Sequence, residues 1–149
     1  MNYCTREDVR EMIKTDALNT LIGDTYIDDP EEREKQIAPL IDGAVEDAEG
    51  EIDGYLSKRY PVPLSPPPKA INKFAKDIAV YNLFSRIGID EQSEQKTILN
   101  RYQAAVKFLT LVAEGKVDIG VSDNAMAAQT GFSVKSSPRL FSRDTMRGL

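Results

Sequence analysis

Four carboxylates, Asp42, Glu46, Glu49 and Asp53, follow one another at steps of four, three and four residues. In a helix that spacing puts them on one face. Such a stripe could hold a cation, or supply one half of an acid–base pair if a second element brought a partner. On a single helix it reads first as a solvated face, because like charges one turn apart repel and are best tolerated in water. A glycosidase or metal site draws its acids from several elements around a cleft. Histidine is absent, which removes the commonest general base and the commonest zinc ligand. Cys4 is the sole cysteine; with no second cysteine and no imidazole beside it, it reads as a small apolar N-terminal residue. Gly115 to Gly120 has neither the spacing of a phosphate loop nor a helix after it. The chain is therefore predicted to be no enzyme, with no catalytic, metal or cofactor residues.

A second group is structural in character. Asp77 stands in a strongly apolar run, where a carboxylate buried alone would be costly. Its predicted partner is Arg59. With Tyr55, Tyr60 and Tyr81 the pair makes a polar clamp between two helices. Arg59, Tyr55 and Tyr60 lie in the stretch Glu51 to Leu64, where a long helix runs into Arg59-Tyr60-Pro61-Val62-Pro63-Leu64, and Tyr81 lies one turn past Asp77.

The elements that must position these residues follow from spacing. Thr5 opens a first helix, with Glu7 and Asp8 at its positive end, and Val9, Met12 and Ile13 on its apolar face. A second short helix covers Asp16 to Ile22, stopped by Gly23. Asp29-Pro30-Glu31-Glu32 is a helix start. Pro39 either kinks the helix or marks where its main part begins. Ile37, Leu40, Ile41, Ala44, Val45, Ala48, Ile52, Tyr55 and Leu56 then form one apolar stripe. Pro61, Pro63 and Pro66 to Pro68 make a non-helical connector. The helix after it, from Lys69 to Gly88, is apolar over more than half its circumference and should be the most buried. Glu91 to Glu114 carries the last long helix, capped by Gly115. Val117 to Val121 alternates apolar and polar residues as a short strand would. The expected fold is all-α, three longer helices and two short N-terminal ones in a bundle over residues 1–115, with an extended C-terminal arm over 116–149.

Charge separates body from arm. Lys135, Arg139, Arg143 and Arg147 against Asp144 give residues 135–149 a net +3, so the first 134 residues carry −8 of the overall −5. An acidic body argues against nucleic-acid binding. A basic arm with isolated apolar residues suits docking on an acidic protein surface, a neighbouring copy among them. Phe132, Arg139, Leu140, Phe141, Arg143, Met146 and Arg147 are its candidate anchors. No run approaches the roughly 20 apolar residues of a membrane span, and the start of the chain lacks an apolar signal core, so no membrane partner and a cytoplasmic site of synthesis are expected.

Read together, Tyr3-Cys4-Thr5-Arg6-Glu7-Asp8, Asp53-Gly54-Tyr55-Leu56, Arg59-Tyr60, Pro63-Leu64, Asp77-Ile78-Ala79 with Tyr81, Arg101-Tyr102, and Gly115-Lys116 with Ile119-Gly120 resemble the Mu-like phage and prophage head–tail adaptor (connector, head-completion) family. The resemblance spans roughly Tyr3 to Arg143. It implies a structural virion protein of the neck, assembled in the host cytoplasm. Copies would form a ring of about twelve below the portal protein, extend the DNA channel and dock a tail or stopper protein. Genomic DNA would pass without specific binding, and Asp42, Glu46, Glu49 and Asp53 would face the channel and repel phosphates. The arm would reach the portal or a neighbouring subunit. The alternative is a soluble assembly chaperone or protein-binding helical module on the same scaffold.

Overall fold

The computed structural model describes residues 1–23 and 26–121. Its spine is α3 (Pro30–Leu56). Asp29 caps it, its side chain accepting from the Glu31 amide at 3.1 Å, and Pro30 occupies a first-turn position where no N–H is needed. Of the two readings for Pro39, the structure takes the unbroken one: the helix runs through it. Pro39 is exposed, on the side where water can take up the carbonyl that its missing N–H leaves free. Ile37, Ile41, Val45, Ala48, Ile52 and Leu56 are fully buried, so the predicted apolar stripe is the core face.

After the proline connector, α4 (Lys69–Ser85) starts directly behind Pro68 and packs along α3. Eight of its 17 residues are buried, the densest burial of any long helix here. Two peptide bonds in the connector, Val62–Pro63 and Ser65–Pro66, are cis. The chain turns at Gly88, whose φ of 89° suits glycine, and returns as α5 (Lys96–Ala113). This helix begins later than the sequence suggests, because Asp90 to Gln95 form hydrogen-bonded turns instead: the Asp90 amide donates to the Gln95 side chain and Asp90 accepts from the Gln92 amide. Only Ala105, Leu109 and Val112 of α5 are buried, so it lies at the edge of the bundle.

At the N-terminus, α1 (Arg6–Glu11) has a reciprocal cap. The Asp8 amide donates to Thr5 Oγ1 and the Thr5 amide to Asp8 Oδ2. A short 3-10 turn (Thr15–Ala17) leads into α2 (Leu18–Ile22). All five helices contribute to one core, as expected for an all-α bundle.

The described residues contain no strand. Val117, Ile119 and Val121 do pack against the core while Asp118 and Gly120 face water, so the alternation reports burial correctly. The chain cannot stay extended, because the Gly120 amide turns back onto Asp118 Oδ1 at 2.7 Å with φ of 74°, and the described residues offer no strand to pair with it. The arm anchors Phe132, Arg139, Leu140, Phe141, Arg143, Met146 and Arg147 lie outside the described residues.

Candidate functional site

The joint between α3 and α4 is held by residues from the other end of the sequence. Tyr3 is buried to 1 % exposure. Its hydroxyl donates to Asp53 Oδ1 on α3 and accepts from the Leu64 amide in the connector at 3.0 Å. Its carbonyl accepts from Asn72 Nδ2 on α4 at 2.6 Å. One residue thus clasps two helices and the loop between them. Burial, followed by the hydrogen bond to Asp53, pushes the Tyr3 phenol well above its ordinary value, so the group works as a neutral donor.

Glu49 explains how the clasp is seated. It is one of two charged side chains buried in the core among the described residues, and its carboxylate accepts from the amides of Asn2 and Tyr3 and from Asn2 Nδ2. Those donors offset the cost of burying the charge. Asp42 takes the Arg6 guanidinium in a two-point pair, placing α1 on the same face. At Asp42, Glu49 and Asp53 the acidic stripe is therefore the seat of the chain's own N-terminus rather than a plain solvated face. Asp42, Glu49 and Asp53 are engaged within the subunit, and only Glu46 of the four stands exposed. Repulsion along the stripe is relieved by N–H donors and Arg6 rather than by water alone.

The expected Arg59–Asp77 pair does not form. Asp77, 5 % exposed, is bridged by Lys73 one turn earlier on its own helix at 3.0 Å. Arg59 reaches instead to the C-terminus of α5, donating from Nη1 to the carbonyls of Val112 at 2.7 Å and Val117 at 3.3 Å. The reason is geometric: Arg59 leaves the end of α3 where α5 also ends, and the carbonyls at a helix C-terminus, the negative end of its dipole, attract a guanidinium. Gly115, with φ of 78°, lets the chain turn under it, and a Cβ there would sit 3.7 Å from Arg59 Nη1. The guanidinium also lies over the ring of buried Tyr60, 5.1 Å from its centroid.

Of the other tyrosines in the predicted clamp, Tyr81 stacks on Tyr102 of α5, with ring centroids 3.8 Å apart, and Tyr102 donates to Glu51 at 3.1 Å. Burial and the Glu51 carboxylate push the Tyr102 phenol up to about 12. Tyr55 packs half-buried against the core. The clamp residues thus split between two joints, Arg59 with Tyr60 at one and Tyr81 at the other, instead of meeting at one point.

Tyr3, Glu49 as an anchor, and Asn72 are the functional side chains that spacing did not single out. Their one signal is Glu49 itself, which falls beside the apolar stripe at Val45, Ala48 and Ile52 rather than opposite it. Cys4, next to Tyr3, is buried, and burial pushes its thiol up to about 12, an unreactive state at neutral pH. Among the described residues no three acids, cysteines or histidines converge as a metal site, and no helix is long and apolar enough to cross a membrane.

The same segments carry likeness to known proteins. The model of the family described as "Bacteriophage Mu, Gp36" matches residues 3–136, a span that opens on the clasp residue. The Mu-like prophage FluMu protein gp36 of Haemophilus influenzae is 30 % identical over 107 residues, covering 70 % of this chain and 72 % of that protein. Gene product J of Escherichia phage Mu is 29 % identical over 147 residues, 96 % of each chain.

Proposed function

Because the chain belongs to the Bacteriophage Mu Gp36 family, and so is a protein of Mu-like phages and prophages, we propose that it is a non-enzymatic head–tail connector subunit of the virion neck. Copies form a ring of about twelve below the portal, extend the DNA channel and present a platform for a tail or stopper protein. The observation that carries this reading is the clasp at Tyr3. Ring closure needs a subunit of fixed angle, since a small error per copy accumulates around the circle. Hydrogen bonds from one buried tyrosine to α3, the connector and α4 fix the joint that would otherwise set that angle loosely. With Asp42, Glu49 and Asp53 engaged internally, Glu46 is the member of the stripe left to face passing DNA, with its neighbour Asp47 exposed beside it. The full-length chain, alone and with its portal protein, is the sample for electron microscopy and native mass measurement. Rings stacked on the portal are expected. A protein that stays monomeric even with portal present overturns the reading and favours an assembly chaperone.

A further inference from the structure

A largely apolar groove of about 560 Å³ opens at the end of the bundle where α4 turns into α5. Met12, Ala17, Val80, Phe84 and Ile98 line its floor and walls. Ile87 stands at its edge at 41 % exposure, one of three large apolar side chains so exposed among the described residues. The joint proposed above does not use this groove. Its rim is polar: Lys14 Nζ and Glu94 Oε2 face each other at 3.1 Å, both largely in water, and the turn beside it carries Asp90, Glu91 and Glu94, all exposed. Within the lining Lys14 and Arg101 balance Asp16 and Glu94, so the acidic border is the Asp90–Glu94 turn, and an apolar slot beside such a turn calls for an apolar anchor flanked by cations.

The sequence holds such a segment. Arg139-Leu140-Phe141-Ser142-Arg143 sets two adjacent apolar side chains between two arginines, in a basic arm attached to an acidic body. The described chain ends at Val121, past the C-terminal end of α5, where Val117 meets Arg59. The groove lies at the N-terminal end of α5, roughly 27 Å away along an 18-residue helix. The residues from Val121 to Leu140 can span up to about 60 Å when extended, enough to reach beyond the subunit. We infer that Leu140 and Phe141 of one copy seat in the Ile87 groove of the next, with Arg139 and Arg143 against the Asp90–Glu94 turn. An arm leaving one end of a subunit and a groove at the other make a heterologous contact, which passes from copy to copy and closes into a ring when the rotation allows. The inference deepens the ring reading and names the contact between subunits.

The test uses full-length chains. Cys4 is buried, so introduced thiols react without competition from it. Ile87→Cys and Phe141→Cys are prepared separately, mixed, and oxidised gently with oxidised glutathione. Disulfide-linked 87–141 dimers are expected, forming at least about tenfold faster than pairs between Phe141→Cys and Lys58→Cys, because docking raises the effective concentration of the two thiols. Arg139→Glu with Arg143→Glu should remove that advantage. A chain carrying both Ile87→Cys and Phe141→Cys should give a ladder of linked copies. A fast-migrating monomer with an internal disulfide would overturn the inference and make the groove a seat for the chain's own arm. Equal rates at positions 87 and 58 would overturn it as well. Microscopy of the same samples keeps the two readings apart: rings without the 87–141 link sink this contact alone, and the link without rings sinks the ring.

Discussion

Replacing Tyr3 by phenylalanine removes one oxygen atom and little volume, so its cost isolates the clasp from core packing. The lost hydroxyl donates to the Asp53 carboxylate and accepts from the buried Leu64 amide. A hydrogen bond to a charged acceptor contributes about 1.5–3 kcal/mol, and a buried N–H left without a partner costs about 1–3 kcal/mol. The two overlap, since local relaxation can admit water to one of them, and a net loss of about 2–4 kcal/mol is expected. That is a large share of the roughly 5–15 kcal/mol that holds a domain folded. In urea, with a slope of about 2 kcal/mol per molar for this size, the midpoint should fall by about 1–2 M with the slope unchanged. A double-mutant cycle with Asp53→Asn should show coupling of about 1 kcal/mol or more. A loss below about 0.5 kcal/mol, or strict additivity with Asp53→Asn, would refute the clasp as the element that fixes the joint.

Arg59→Ala should cost about 1.5–3 kcal/mol and speed amide exchange in the last turn of α5 and at residues 116–121; its effect should add to that of Asp77→Asn, and coupling between the two would restore the pair that the sequence suggests. Tyr102 has its phenol raised to about 12 by burial and by Glu51, against about 10 in an unfolded chain. Its share of stability is whole below pH 10 and is lost as pH rises from 10 through 12, because the unfolded state gives up the proton first. Denaturation midpoints measured across pH 10–12 should therefore fall less steeply for Tyr102→Phe than for the native chain. Cys4, buried and with its thiol raised, should react with a thiol reagent at pH 8 only as fast as the protein opens, and immediate labelling of the folded chain would contradict its burial.

Much of the helical framework is legible in the sequence because each helix carries its own instructions. Thr5 with Asp8, Asp29 with Pro30, and Gly115 are caps whose chemistry is complete within a few residues, and the stripe from Ile37 to Leu56 states which face is buried. The joint is less legible because its bonds join residues far apart in the chain. Nothing around Glu49 announces that Asn2 and Tyr3 will bring it three donors, so four acids at helical spacing look like a wet surface. Asp77 shows the opposite error: its true partner, Lys73, lies one turn away on the same helix, while the expected partner, Arg59, lies past the end of another helix. That helix end matters through α5, whose C-terminal carbonyls become neighbours of Arg59 only once the bundle has closed. The alternation from Val117 to Val121 identifies the buried side chains and mistakes the backbone, since alternate side chains can meet the core from a segment that turns, as this one does at Gly120.

The clasp also gives the molecule a load path. Bonds from residue 3 to residues 53, 64 and 72 latch the first half of the chain into a closed loop, and α5 lies outside it. Tension on the C-terminal arm enters at the end of α5, where Arg59 holds the Val112 carbonyl, and the helix can peel from the edge one turn at a time. The latched half is loaded last, after Arg59 has released Val112 and Tyr102 has left Glu51 and Tyr81, and keeps its shape until then. Force applied at the amino end has no such gradual route: it bears at once on Glu49 and Tyr3, so the two ends of one chain are expected to differ sharply in the force they withstand.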